Sequence, residues 1–313
     1  MSQKLILKFL EISKVIQVTV SEQETLSKII DALKKKELEY CDFEAITFIE
    51  KGKIIDQNKT LKSLKIKGGT EISVSMLNLV KCMKYPNGDV YKGTYTDGKR
   101  NGKGVLQSKN GMIYTGDFKN DMFNGRGIIQ FPNKDIYRGD FVNNLIEGNG
   151  VYQFANGSIY QGQFRKGLFN GEGILQYGNR DIYQGEFKDN LKNGKGVLQF
   201  ANNDIYEGDF VNDMFHGEGM MRFRNNDCYQ GHFSNNSIQG EGVYMYSNGC
   251  VMEGNFVNGV LSGKGVFIYP NETKIEGDFK DGHPIGEAIM TDPDGKIEKQ
   301  KYNEKGELVY PKY

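Results

Sequence analysis

From Tyr91 onward the apolar and polar positions follow one phrase that returns every 23 residues. An aliphatic-Tyr-x-Gly-x-aromatic segment comes first, then a polar turn, then a Gly-x-Gly segment that ends on apolar residues. Steps of 23 set Tyr91, Tyr114, Tyr137, Tyr160, Tyr183, Tyr206 and Tyr229, then Met252 and Ile275, at the same point of the phrase. Two residues on stands glycine: Gly93, Gly116, Gly139, Gly162, Gly185, Gly208, Gly231, Gly254 and Gly277. Two further on is a ring: Tyr95, then Phe118, Phe141, Phe164, Phe187, Phe210, Phe233, Phe256 and Phe279. A pattern that keeps its phase nine times marks a stack of like supersecondary units. Side chains alternate along a strand, so Tyr183, Gly185 and Phe187 share one face, and Gly194, Gly196 and Leu198 share a face of the next strand. Each unit is therefore predicted to be a β-hairpin.

Two turn positions agree with this. Three residues after the ring come Gly98, Asp121, Asn144, Gly167, Asn190, Asp213, Asn236, Gly259 and Gly282, the residue types that tolerate positive φ. The connection between units holds Asn at 87, 110, 133, 156, 179, 202, 225, 248 and 271, and Asn156-Gly157 is a strong short hairpin signal. The strand glycines are explained if rings need flat backbone beside them. Burying one ring contributes roughly 2–3 kcal/mol, more than the roughly 1 kcal/mol that a strand glycine costs.

Residues 4–77 follow a different order. "KLILKFL" and "VIQVTV" read as paired strands, and Ser21 and Glu24 are spaced as a capping box before a helix with the stripe Leu26, Ile29, Ile30, Leu33. "AITFIEKGKII" and "GTEISVSML" read as further strands. The expected division is a first domain over 1–80, a linker at 81–84, and the hairpin array over 85–313 with a degenerate C-terminal cap.

Composition narrows the chemistry. Lys plus Arg equals Asp plus Glu at 40 each in 313 residues, so nothing favours nucleic acid, and a membrane surface is disfavoured. No apolar run is long enough to span a bilayer, and charges at Lys4, Lys8 and Glu11 exclude a signal peptide, which points to the cytoplasm. Cys41, Cys82, Cys228 and Cys250 form no C-x-x-C pair and read as reduced fillers. His216, His232 and His283 fall at three different points of the repeat, "GEGILQYG" leads into a strand rather than a helix, and no nucleophile grouping recurs. No catalytic residue, metal or cofactor is expected. Asp117, Asp140, Glu186, Asp209 and Asp278 share one repeat position and read as a solvated stripe.

"YQGEFKDNLKNGKG" and its eight relatives resemble the MORN (membrane occupation and recognition nexus) family, with Phe for the usual Trp, Met252 and Ile275 for Tyr, and Ala288 for the last Gly. The string "ITFIEKGKIIDQNKTLKSLKIKGGTEISVSM" resembles the ubiquitin-like β-grasp fold. Together these imply a mainly β chain: an elongated hairpin array preceded by a small α+β domain. Conjugation is not implied, because Leu77 to Lys81 stand where ubiquitin has its di-glycine tail. Of ubiquitin's receptor patch, the central isoleucine falls on Ile49, while the neighbouring valine position holds Ser75. The resemblance implies a non-enzymatic scaffold for a large protein assembly, of the kind found in ciliary radial spokes, axonemes and protist cytoskeletons. A peripheral tether on acidic phospholipids and a ubiquitin-pathway adaptor are the alternatives. Homodimerisation through the array ends is a further expectation.

One position set suggests where partners bind. Just after the positive-φ residue come Met122-Phe123, Leu145-Ile146, Leu168-Phe169, Leu191, Met214-Phe215, Ile238 and Val260-Leu261, apolar where turn tips are usually polar. Either one residue of each pair finishes its own hairpin's core, or the set forms an exposed apolar ridge and a protein interface. On the second reading, replacing Phe123, Phe169 and Phe215 by Ser removes binding and spares stability.

Overall fold

The fold is that of a computed structural model, which describes residues 2–9, 14–21, 23–36, 41–42, 45–50, 53–56, 59–67, 70–77 and 80–309. It divides into two units, Met1–Ala155 and Asn156–Tyr313.

Unit 1 opens with β1 (Ser2–Phe9) and β2 (Lys14–Ser21), then α1 (Leu26–Lys36), the short β3 (Cys41–Asp42), β4 (Ala45–Glu50), β5 (Lys53–Ile55) and β6 (Glu71–Leu77). The sheet runs β2-β1-β6-β4-β5, with β1 and β6 parallel and the other pairs antiparallel. The helical stripe Leu26, Ile29 and Ile30 is buried, as are Leu7, Val20, Phe48, Leu61, Ile66 and Ile72, and these form the domain's core. The Ser21 and Glu24 pair does not cap the helix, which starts at Leu26 with its N-cap four residues after Ser21. Glu24 Oε2 accepts from the Ser21 amide at 2.5 Å, which closes the turn ahead of the helix. Thr25 is the N-cap itself, its Oγ1 accepting from the Lys28 amide at 3.4 Å. Ile49 lies in β4 opposite Ile54 and Ser73, and its side chain is outside the described residues.

The array of unit 1 begins with β7 (Val80–Lys84), so the expected linker at 81–84 is a strand. It pairs antiparallel with β8 (Val90–Thr96), from Val80↔Thr94 to Lys84↔Val90, and takes up the backbone groups that an edge strand would leave open. β3 in turn pairs with β7 through Cys41↔Lys81 and Asp42↔Val80. The sheet continues through β9 (Lys99–Gln107), β10 (Ile113–Lys119), β11 (Met122–Gln130), β12 (Ile136–Val142) and β13 (Leu145–Gln153), each antiparallel to the one before.

Unit 2 repeats the same hairpin. Its strands are β14 (Ile159–Arg165), β15 (Leu168–Gln176), β16 (Ile182–Lys188), β17 (Leu191–Gln199), β18 (Ile205–Val211), β19 (Met214–Arg222), β20 (Cys228–Ser234), β21 (Ser237–Met245), β22 (Val251–Val257), β23 (Val260–Ile268), β24 (Lys274–Lys280), β25 (His283–Thr291) and β26 (Ile297–Tyr302), again antiparallel throughout.

The two turns differ in kind. Within a hairpin, Lys119↔Met122 leaves two residues, Asn120 and Asp121, with φ of 50° and 69°. Positive φ at both central residues is a type I′ turn, whose twist matches the flanking strands. The residue before the foreseen left-handed position is thus left-handed too, including Lys166 at 51°. Between hairpins the Asn has another task than an Asn-Gly type I′ turn would give it. Asn133 Oδ1 accepts from the Asp135 amide at 3.1 Å, an Asx turn, and the left-handed residue is the one between them, Lys134, with φ 75°. The Phe131 amide bonds the Asp135 carbonyl and the Lys134 amide bonds the Phe131 carbonyl, both at 2.9 Å.

Candidate interaction surface

Each of the seven repeat tyrosines is fully buried and rests on two glycines. At Tyr114 these are Gly116, two residues on, and Gly127, its neighbour across the hairpin. A Cβ on Gly116 would meet the Tyr114 hydroxyl at 2.5 Å and the Gly127 Cα at 2.6 Å, far inside contact distance, and one on Gly127 would meet the ring at 2.5 Å. The ring therefore occupies the volume of both missing side chains. Its hydroxyl donates to the Asp117 carbonyl at 2.7 Å. That carbonyl needs a partner because the ladder slips here: Gly116 faces Gly127, but Phe118 faces Phe123. The same bond recurs at Tyr91, Tyr137, Tyr160, Tyr183, Tyr206 and Tyr229, at 2.9 to 3.2 Å. Burial pushes these phenols up, to about 12 at Tyr160 and Tyr229. Phe118 meets Tyr114 edge-on at 5.1 Å and Tyr91 of the preceding hairpin at 5.0 Å, which couples consecutive hairpins.

The bulge also gives the acidic stripe a structural task. The Asp117 carboxylate accepts from the Arg126 amide at 3.3 Å, Asp140 from Asn149 at 3.1 Å and Glu186 from Lys195 at 2.9 Å. These three members of the stripe hold the bulged backbone while staying partly open to solvent, a structural task that the solvated-stripe reading did not include. The first glycine of each Gly-x-Gly lies in the same bulge: Gly125 has φ 71° and packs beside Asp117.

The expected apolar ridge separates into two faces because its paired residues are consecutive on a strand. Phe123, Phe169 and Phe215 turn inward and stack on Tyr114, Tyr160 and Tyr206 at 3.7 to 3.8 Å between centroids. Phe169, Phe215 and Leu261 are buried, while Phe123, Ile146 and Ile238 are half-buried at the same register position. These six complete the core, which corrects their reading as surface. Where that position carries a cation, it serves the same rings. Arg100 Cζ lies 5.4 Å from the Phe118 ring and 5.7 Å from Tyr91, with Nε 3.2 Å from Asp121, and Lys192 Nζ lies 5.8 Å from Tyr183. The other member of each pair turns outward. Leu145 is 48% exposed, Leu168, Leu191 and Val260 stand out alike, and Met122 and Met214 are half-buried. Val142, Val211 and Val257 are exposed directly opposite Leu145, Met214 and Val260.

A second row on this outward face went unread in the sequence. In unit 1, Lys92, Val105, Thr115, Ile128, Arg138 and Val151 stand directly opposite one another on successive strands. In unit 2 the row runs from Gln161 and Ile174 through Gln184, Val197, Glu207, Met220, Gln230, Val243, Glu253 and Val266 to Glu276 and Ile289. Val105, Val151, Ile174, Val197 and Ile289 are exposed at 37 to 43%. The signal was available: one repeat position carries Val, Ile or Met in all nine copies on a face that alternation assigns to solvent.

Among the described residues no group of three or more His, Cys, Asp or Glu is placed to hold a metal ion, and no helix is long and apolar enough to cross a membrane. Cys82, Cys228 and Cys250 are free thiols.

The MORN repeat family model matches nine times in succession, from residues 91–113 to 276–297, over more than half of the chain. The chain belongs to the MORN-repeat family. Its MORN units are preceded by a match to the family described as Ubiquitin-2 like Rad60 SUMO-like, over residues 3–76. Domains of these two kinds fit a structural or interaction role. Among curated proteins no sequence matches the chain. Solved structures similar to this MORN chain include the SAS-4 (dCPAP) TCP domain in complex with a Proline Rich Motif of Ana2 (dSTIL) of Drosophila melanogaster. It is 14% identical, with 70% of this chain and 88% of that one covered and a TM-score of 0.26. Virginiamycin B lyase from Staphylococcus aureus is 11% identical, with 72% and 70% covered and a TM-score of 0.14. Scores at this level carry no argument about the MORN units.

Proposed function

We propose that this chain is a non-enzymatic scaffold that presents the outward side of its MORN hairpins to other proteins of a large assembly, of the axonemal radial-spoke or cytoskeletal kind that the family resemblance suggests. The carrying observation is the set of aliphatic side chains left exposed at the hairpin tips, Leu145, Leu168, Leu191 and Val260, each one residue from a side chain that the core consumes. Aliphatic groups held in register on a rigid sheet supply contact area at small entropic cost, because their backbone is already ordered. Val142, Val211 and Val257 broaden the strip.

The test separates the two members of a pair. The triple variant Leu145→Ser/Leu168→Ser/Leu191→Ser is expected to keep its thermal midpoint and to lose assembly partners on purification from the native cell. Phe169→Ser removes a buried ring stacked on Tyr160, which costs about 3 kcal/mol, and is expected to lower the midpoint. A triple variant that retains every partner removes the tip strip from the reading.

A further inference from the structure

The second row, across the middle of the outward face, carries an inference of its own. Every second member is aliphatic, and the member between them changes character from one unit to the other. It is Lys92, Thr115 and Arg138 in unit 1, and in unit 2 it passes from Gln161 and Gln184 to Glu207, Gln230, Glu253 and Glu276. The charged members of both sets are exposed. The surrounding sequence follows: residues 80–155 hold eleven Lys and Arg against seven Asp and Glu, and residues 156–309 hold fifteen against twenty-two. The chain's overall neutrality thus conceals a basic stretch followed by an acidic one.

We propose that this row is the docking surface for a second copy of the chain, with the outward face of unit 1 in one copy against that of unit 2 in the other. The half-exposed Val and Ile side chains supply apolar area, and the residues between them decide the pairing. Unit 1 against unit 1 sets Lys92 and Arg138 near like charges, and unit 2 against unit 2 does the same with Glu207, Glu253 and Glu276. The mixed pairing is the one in which opposite charges meet, and like-charge juxtaposition excludes the others. If both mixed contacts form reciprocally, the assembly closes as a twofold dimer. A partner of another kind would have to match a basic row and an acidic row at once, whereas a second copy supplies both. This row lies four residues from the tip along the first strand of a hairpin, as from Val142 to Arg138, or about 13 Å. The contact therefore stands apart from the tip strip of the proposed function.

Sedimentation of the full chain tests it with a charge swap. One variant, Lys92→Glu/Thr115→Glu/Arg138→Glu, makes both rows acidic; the other, Glu207→Lys/Glu253→Lys/Glu276→Lys, makes both basic. All six positions are exposed, so circular dichroism is expected to show the wild-type fold. The wild type is expected to self-associate at low ionic strength and to weaken with salt, as charge steering requires. Each variant alone is expected to lose at least about tenfold in affinity for itself, and the equimolar mixture to recover within about threefold of wild type. The Leu145→Ser/Leu168→Ser/Leu191→Ser variant is expected to associate as wild type does, which keeps failure of the tip reading distinct from failure of this one. A wild type that stays monomeric at low salt, or a mixture no tighter than its components, overturns the proposal.

Discussion

Ala288 is the residue that best exposes the logic of the array. Eight units carry glycine at its position, and the ninth, which carries alanine, is also the one with Ile275 in place of tyrosine. Without a phenol ring to seat, the second flat position is no longer required, and a methyl group fits opposite Gly277. β7 gives the matching case at the other end. Lys81 takes the register position of Gly104, and 23 residues before Tyr91 the chain has Gly68, so no ring needs the seat. That glycines and rings belong together was legible from spacing. That one tyrosine uses two glycines on different strands was not, because it depends on cross-strand register. Turn residues follow the same economy of space. Arg180 and Lys134 hold φ of 78° and 75°, where a side chain costs roughly 1–2 kcal/mol and glycine almost nothing. Replacing Arg180 by Gly is expected to stabilise the protein by about 0.5–1 kcal/mol in urea unfolding, since the lost strain exceeds the added chain entropy.

At the scale of the hairpin, polar bonds run between successive turns with the period of the repeat. In the type I′ turns, Asn144 Oδ1 accepts from the Phe123 amide at 2.7 Å while its own amide donates to the Phe123 carbonyl at 3.0 Å. In the Asx turns, Asp135, Asp181, Asp204 and Asp227 each accept from the amide 20 residues on, at 2.8 Å. Asp227 also accepts from Asn225 and from the Tyr244 hydroxyl and is 8% exposed. The Ser247 amide holds its pKa below the ordinary carboxylate value; burial works against this, and the bonds from Asn225 and Tyr244 add to the lowering. A carboxylate whose folded pKa is depressed contributes stability above the unfolded pKa, near 3.8, and loses it as pH falls through the folded value. Asp227→Asn is accordingly expected to be less stable than wild type at pH 7 by roughly 1 kcal/mol, with the gap closing below pH ~4. Thermal melts across that range check the sign. The hairpins, the left-handed turn residue and the helix of the first domain could all be read from pattern. These inter-turn bonds could not, because their acceptors look like ordinary loop Asn and Asp until the turns are stacked. The tip residues were half legible: sequence showed an apolar pair, and only bulge and register decide that Phe169 goes in while Leu168 stays out.

Across the whole molecule one contact is used again and again, and the departures from it lie where the array starts and finishes. Such arrays draw stability from each unit and its neighbour contacts rather than from a single core, and here the neighbour contact is a phenylalanine edge against the preceding tyrosine. Everything else follows from that seat: the paired glycines, the hydroxyl bond at the bulge, and an outward face that the core does not use. The direct test is a double-mutant cycle at one central seat of the full chain, with Tyr183→Ile and Gly196→Ala made singly and together and unfolding free energies compared. If the ring fills the space of the glycine, Gly196→Ala alone costs about 2–3 kcal/mol. In the Tyr183→Ile background it then costs under about 1 kcal/mol, as the natural Ile275 and Ala288 pair implies, giving a coupling near 2 kcal/mol. Costs that simply add, with the alanine equally harmful beside isoleucine, would contradict the seat and the account built on it.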